Sequence, residues 1–263
     1  MQNKWKKQLI NNSVPILMFA LVVFAFPLSG LSLSYIANEM LLRMSRNLFL
    51  VLSLLIPIIA GMGLNFGIVL GAMGGQLALI FVSDWHIVGV QGVLLAMILS
   101  IPFSMVLGYI GGAVLNRAKG REMITSMILG YFINGVYQLI VLYAMGVVIP
   151  LTDSKILLSS GRGVRNTIDL GKLNAALDKF VSFKIMNIEI PVLTILFIVA
   201  LCIFIVWFRS TKLGQDMRAI GQDMEVARSS GIEVDKTRIV AIVISTVLAG
   251  IGQVIYLQNI GTM

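Results

Sequence analysis

Five amide side chains lie within otherwise apolar stretches of the sequence: Asn65, Gln76, Asn134, Gln138 and Gln253. A buried amide is costly unless its hydrogen bonds are satisfied, so such groups either bridge neighbouring elements or line a polar cavity. Cavity lining suits Asn65 and Gln76 better than the other three, because these two flank a break signal and lie in the glycine-rich stretch that follows it. Both alternatives stay open from the residues alone.

Residues that support other chemistry are nearly absent. The sequence has one histidine, His86, and one cysteine, Cys202, so it offers no metal-ligand spacing and no intrachain disulfide. The G-x-x-x-x-G-K-[ST] pattern of a nucleotide-binding loop does not occur. We therefore expect no enzyme activity in this chain, no bound metal and no cofactor of its own.

The composition indicates a membrane protein. Of the 263 residues, 58% are hydrophobic and 12% are charged, against roughly 25% charged in soluble domains. The windows 47–83, 87–116, 123–152 and 239–263 contain no Asp, Glu, Lys or Arg. Each exceeds the ~20 residues of a membrane-spanning helix. The basic residues behind the net charge of +8 lie in short connections, which is typical of membrane topology and argues against nucleic-acid binding.

The sequence predicts an all-α polytopic membrane bundle that forms one transmembrane domain over residues 1–263. The predicted spans are 14–33, 48–62, 66–82, 93–115, 124–149, 191–208 and 238–258. As one helix, the run 47–83 would be about 55 Å long, too long for a hydrocarbon core of about 30 Å. Pro57 and the segment "GMGLNFG" favour a break there, as two short crossings or as a broken, re-entrant pair.

Basic residues predict the orientation of these spans. They cluster at Lys4, Lys6 and Lys7, at Arg117, Lys119 and Arg121, and at six positions between 209 and 238. All three clusters, with the N-terminus, are cytoplasmic if the run 47–83 crosses twice. Arg43 and Arg46 then fall on the outer side, against the trend. The segment 150–190 becomes an extracytoplasmic loop, either a cap over the helix ends or a docking surface.

Glycines recur every four residues at Gly63, Gly67, Gly71 and Gly75. On one helix they would form a single face without side chains. Small residues at this spacing let a second helix pack closely, and they also leave room for a solute. Glycines of the next span are the expected packing partners: Gly108, Gly111 and Gly112.

The segment 209–237 has the pattern of two short amphipathic helices in the cytoplasm. Met217, Ile220, Met224 and Ala227 repeat at helical spacing, while Gly221 and Gly231 interrupt and end the pattern. This apolar stripe either packs on the chain's own membrane part or docks a partner protein. Docking is the favoured interpretation.

The same segment resembles a known family. The letters "EVARSSGI" are similar to the E-A-A-x-x-x-G pattern in permease subunits of ATP-binding-cassette importers, with Glu225, Ala227 and Gly231 in register. Val226 replaces an alanine, and no I-x-L-P follows. "TKLGQDMRAIGQDMEVARSSGIEV", "VISTVLAGIGQVIYL" and "LNFGIVLGAMGGQLA" more specifically resemble the branch of ribose, nucleoside and branched-chain amino acid permeases.

The resemblance implies a multi-pass protein of the cytoplasmic (inner) membrane and a set of partners. Two permease subunits, identical or different, form the pathway; two ATPase subunits bind ATP beneath it; and an extracytoplasmic solute-binding protein delivers the solute. The implied coupling region comprises Met217, Ile220, Gly221, Met224, Glu225, Ala227 and Gly231. Uncharged amides near the break favour a small neutral solute such as a sugar or nucleoside.

A stand-alone passive channel is the alternative function; it explains the glycines and the uncharged spans but not "EVARSSGI". Permeases of this branch continue through further spans, whereas this chain stops at "QNIGTM". We therefore expect a partial sequence.

Overall fold

The computed structural model describes residues 12–158, 161–185 and 188–263. Its α-helices are α1 (Ser13–Ser29), α2 (Leu33–Ser53), α3 (Leu55–Ile59), α4 (Ile68–Asp84), α5 (Gly89–Arg117), α6 (Glu122–Leu139), α7 (Ala176–Phe180), α8 (Val192–Ser210), α9 (Lys212–Gln222), α10 (Met224–Ser229) and α11 (Val234–Ile260). A π-helical turn, Ile140–Ala144, extends α6, and a 3₁₀ turn, Gly171–Leu173, precedes α7. The predicted all-α membrane bundle is confirmed.

The loop between α6 and α8 contains one element that the sequence did not predict. Strands β1 (Ser182–Ile185) and β2 (Ile188–Pro191) pair antiparallel and lead directly into α8. The α-helix of this loop, α7, has only five residues.

Among the described residues, five helical segments are long and apolar enough to cross a membrane: Leu33–Ile59, Gly89–Arg117, Glu122–Ala144, Val192–Ser210 and Val234–Ile260. The apolar helices α1 and α4 are shorter, with 17 residues each. The predicted break is confirmed, since α3 ends at Ile59 and α4 begins at Ile68. Gly61 and Gly63 make the turn between them with positive φ angles of 72° and 67°, which glycine adopts without strain.

The second span begins earlier than predicted. Helix α2 starts at Leu33 rather than near residue 48, because the Ser32 side chain accepts a hydrogen bond from the Tyr35 backbone N–H and caps it. Its first half carries Glu39 and Arg43, which pair at 3.0 Å on an exposed side. A charge-free window could not include these residues, so the prediction placed the start too late.

The core of the bundle is formed by α4, α5 and α11. In the most apolar stretch of α11, half of the residues are buried, compared with 11% in the corresponding stretch of the segment Glu122–Ala144. A large apolar cluster joins these helices to α2 and α8 through Phe49, Leu79, Val93, Ile198 and Ile255. Helix α1 has no buried residue.

Polar contacts sort the helix ends into two groups. At one end, Lys119 in the α5–α6 connection pairs with Asp235 at the start of α11, beside α9 and α10. At the other, the Thr152 backbone N–H donates to Asp84 at 2.7 Å, and the Leu177 N–H donates to Gln258. The α5–α6 connection and the segment of α9 and α10, both predicted as cytoplasmic, thus share one end, and Thr152 and Leu177 of the predicted outer loop lie at the opposite end. Lys4, Lys6 and Lys7 lie outside the described residues, so the cytoplasmic N-terminus stays a prediction.

Candidate functional site

A cavity of about 460 Å³ lies between α4, α6 and the loop that precedes α7. Polar groups reach it from all three elements: Gln76 from α4, Tyr137 and Gln138 from α6, Arg165 and Asn166 from the loop. The remaining wall is apolar, with Ile80, Val141, Leu142, Val164, Ile168 and Met263. A mostly apolar wall with a few convergent hydrogen-bonding groups is typical of a site for a small organic solute.

Backbone hydrogen bonds hold the loop over this cavity. The Val164 N–H donates to the Val141 carbonyl at 3.1 Å, and the Gly163 N–H donates to the Met145 carbonyl at 2.9 Å. Gly163 and Val164 of the loop are therefore hydrogen-bonded directly to the π-helical turn that ends α6 and to the residue that follows it. Arg165 is oriented by its own Nε–H, which donates to the Leu157 carbonyl at 2.9 Å.

The two amides favoured as cavity residues have different places. Gln76 lines the cavity. Asn65 does not: it is buried, and its Oδ1 accepts the Gly67 backbone N–H at 2.8 Å just before α4 begins. The neighbouring Phe66 N–H donates to Ser126 Oγ of α6 at 3.1 Å. Asn65 thus fixes the turn at the break, which favours the packing alternative over cavity lining for this residue.

The glycine repeat does not run along one helix. Gly63 and Gly67 precede α4, and only Gly71 and Gly75 lie within it. A Cβ atom added at Gly75 would lie 2.5 Å from the Gly250 carbonyl oxygen of α11. The repeat is therefore divided between a turn and a helix contact, because the chain leaves helical geometry at residues 60–67.

The glycines of α4 pack mainly on α11 rather than on the glycines of α5. Gly71 lies against the Thr246 carbonyl of α11, and Gly74 lies against Ser104 of α5. Gly108 and Gly112 of α5 also face α11, while Gly111 faces Leu70 of α4. Close packing around α11 thus uses the small residues of both neighbouring helices.

Helices α9 and α10 bury the stripe that was expected to face a partner. Met217 is fully buried against Ile56 of α3 and Ala60, which follows α3, and Ile220 and Ala227 are buried with Val234 of α11. This corrects the docking interpretation of the stripe, since the chain's own apolar residues already cover it. The exposed side carries Arg218, Gln222, Glu225, Val226 and Arg228.

Two local features shape this segment. Asp223 caps α10, because its Oδ1 accepts the backbone N–H groups of Glu225 at 2.9 Å and Val226 at 3.1 Å. Gly231 follows α10 with a φ of 84°, in the left-handed region where other L residues are strained. Met224 is half-buried. Their role in ATPase coupling stays a prediction.

Gly221 brings the cytoplasmic segment onto the break itself. A Cβ atom added at Gly61 would lie 2.7 Å from the Gly221 Cα, and one added at Gly221 would collide with the Ile59 carbonyl oxygen. The two backbones are therefore in direct contact. Helix α9 touches the turn that leads into α4, and α4 carries Gln76 in the cavity wall.

Sequence reasoning missed one buried ion pair near the same end. Arg238 of α11 has no exposed surface, and its Nη2 donates to Glu122 Oε1 at the start of α6. Both residues stand at the limits of apolar windows, where they read as ordinary flanking charges. Pairing them requires knowing that the starts of α6 and α11 lie side by side, and no local sequence pattern contains this information.

A membrane bundle with a broken helix, a solute-sized cavity and a short helical segment against one end of the bundle suits the class of transport permeases. Comparison with known families makes the assignment specific. The chain belongs to the family described as "Branched-chain amino acid transport system / permease component", whose model matches residues 36–263. This confirms the resemblance to permeases of ATP-binding-cassette transporters, and the match begins after α1.

One curated relative adds detail. The chain is similar to the "Nucleoside ABC transporter permease protein NupB" of Lactococcus lactis subsp. cremoris (strain MG1363), with 26% identity over 166 residues. The match covers 62% of this chain and 42% of the relative, so the chain spans less than half of that protein. No solved structure gives a significant match.

Proposed function

We propose that this chain is the transmembrane subunit of an ATP-driven importer for a small neutral solute, with nucleosides and sugars favoured. The cavity carries the proposal: its volume of about 460 Å³ suits such a solute, and Gln76, Tyr137 and Asn166 supply uncharged hydrogen-bonding groups. The name of the relative supports a nucleoside over a branched-chain amino acid.

The energy source of this proposal is a partner ATPase docked on the exposed side of α9 and α10. That side combines charges with one exposed apolar residue, Val226, at 60% exposure. A docked partner there would act on the break through the contact between Gly221 and Gly61. At the opposite end, a groove of about 550 Å³ that includes His86, Asp153 and Lys155 is the surface offered to a solute-binding protein.

The remaining assignments follow from the same scheme. The protein is a multi-pass component of the cytoplasmic membrane, with its N-terminus and α9–α10 inside. A second permease subunit, identical or homologous, completes the pathway on the loosely covered side of α6, where Ile128, Tyr131 and Phe132 are exposed.

Native co-purification tests the proposed energy source. The protein is extracted gently from its own membrane, and its partners are identified by mass spectrometry. We expect an ATP-binding-cassette ATPase, retained by Glu233→Lys and lost with Glu225→Lys. Both changes reverse an acidic charge at the cytoplasmic end, but Glu233 pairs only with Lys236 three residues away among the described residues. If the protein instead purifies without an ATPase and supports passive flux in liposomes, it is a channel and not an importer.

Uptake by intact cells tests the solute. Radiolabelled uridine, ribose and leucine are compared in strains with and without the gene for this chain. We expect gene-dependent uptake of uridine or ribose that stops when ATP is depleted. Uptake of leucine alone would contradict the proposed solute class while leaving the importer intact.

A further inference from the structure

Arg238 is an unusually placed cation. It is fully buried one turn into α11, where the positive end of the helix dipole disfavours a second positive charge. Its Nε and Nη1 have no hydrogen-bond partner among the described residues, and Glu122 is the one acid that it contacts there. A buried ion pair adds little net stability over an apolar pair of the same size, so stability does not explain this arrangement.

The pair joins two elements with different duties. Arg238 follows α10 closely along the chain and moves with the start of α11. Glu122 is the first residue of α6, the helix that presents Tyr137 and Gln138 to the cavity. The Glu122 carboxylate has only 13% of its side chain exposed, so water screens the pair weakly.

We propose that Arg238 and Glu122 are positioning residues that transmit movement of the cytoplasmic segment to α6 and so to the cavity. The inference rests on the proposed function, because it assumes an ATPase that moves α9 and α10. When α11 is displaced, the ion pair pulls the Glu122 carboxylate, and with it the start of α6, in the same direction.

A neighbouring ion pair provides the matched control. Lys119 and Asp235 connect the same two regions, but Asp235 has 59% of its side chain exposed. Exposed pairs are screened and contribute little. If the Arg238–Glu122 pair had only a structural role, neutralising it would affect transmission no more than neutralising the Lys119–Asp235 pair.

The experiment reads the cavity directly with a cysteine reporter. Cys202 is the only cysteine, so Cys202→Ala with Leu142→Cys places a single thiol in the cavity wall. The complex with its ATPase is labelled with a membrane-impermeant maleimide, without nucleotide and after trapping with ATP and vanadate. We expect the labelling rate to differ by about tenfold between the two states. Glu122→Gln should reduce this difference to less than about twofold, and Lys119→Gln should preserve it.

Each outcome bears on the inference. Unfolding temperature and ATPase retention are measured on every variant, and Arg238→Gln, which neutralises the pair from its other side and should have the same effect, replaces Glu122→Gln if the latter does not assemble. An assembled Glu122→Gln complex with the full nucleotide response overturns the inference, as does a reporter that ignores nucleotide in the otherwise unchanged complex. Absence of any ATPase in the preparation contradicts the proposed function instead.

Discussion

The two walls of the cavity are held in different ways. Helix α4 contacts α11 backbone to backbone at Gly75, whereas α6 approaches α4 loosely, with 3.9 Å from an added Cβ at Gly130 to the nearest atom. Half of the α11 window is buried, but only 11% of the segment Glu122–Ala144. One wall therefore belongs to the closely packed three-helix core, and the other is packed less closely against it. A solute site between them changes shape when α6 moves.

The largest effect should come from breaking the closely packed wall. Gly75→Val places a branched side chain where even a Cβ would lie 2.5 Å from the Gly250 carbonyl oxygen. Separating α4 from α11 should destabilise the protein by about 3 kcal/mol. The measurement is the midpoint of thermal unfolding in detergent, together with the yield of folded protein.

The same substitution on the loose wall is the control. At Gly135 of α6 no atom lies within 4 Å of an added Cβ. Gly135→Val should therefore change the midpoint little. Equal losses from both variants would show that the two walls do not differ in packing.

A second test removes a buried carboxylate at the outer end. Asp178 accepts hydrogen bonds from Thr194 at 2.5 Å, from Gln258 at 3.0 Å and from Asn259 at 2.8 Å. Asp178→Ala leaves these donors without their acceptor and should lower the free energy of unfolding by about 2 kcal/mol. Glu39→Gln, which breaks only an exposed pair with Arg43, should cost less than about 1 kcal/mol. Comparable losses in chemical unfolding would contradict the role of burial.

The sequence predicted the apolar elements well and the contacts between them poorly. The predicted spans 93–115 and 191–208 match the observed helices α5 and α8 to within a few residues. Both spans are apolar and free of charged residues, so no charge obscures the pattern in the sequence. The start of α2 was misplaced because its exposed half is polar. Asn65 and Gln76 have similar local surroundings in the sequence, yet tertiary contacts make one a turn cap and the other a cavity residue.

A third prediction concerns the contact that joins the cytoplasmic segment to the closely packed wall. Gly221→Ala forces α9 away from the Ile59 carbonyl. This weakens the contact through which α9 would move the turn before α4. We expect solute transported per ATP hydrolysed to fall about fivefold while the ATPase stays bound. Gln222→Ala, a truncation at an exposed neighbouring position, is the control. An unchanged ratio in Gly221→Ala would show that this contact transmits nothing.

The smallest effects should come from the cavity groups themselves, and here the two walls should differ in kind. Gln76→Leu removes one neutral hydrogen bond from the closely packed wall, so the KM for uptake should rise about fivefold with little change in the maximal rate. Tyr137→Phe removes a hydroxyl from the wall that moves, so a hydrogen bond formed only during translocation would lower the maximal rate instead. Initial uptake rates over a range of solute concentrations separate the two parameters. If both variants changed only the KM, α6 would hold the solute as α4 does, and the contrast between a fixed and a moving wall would not extend to transport.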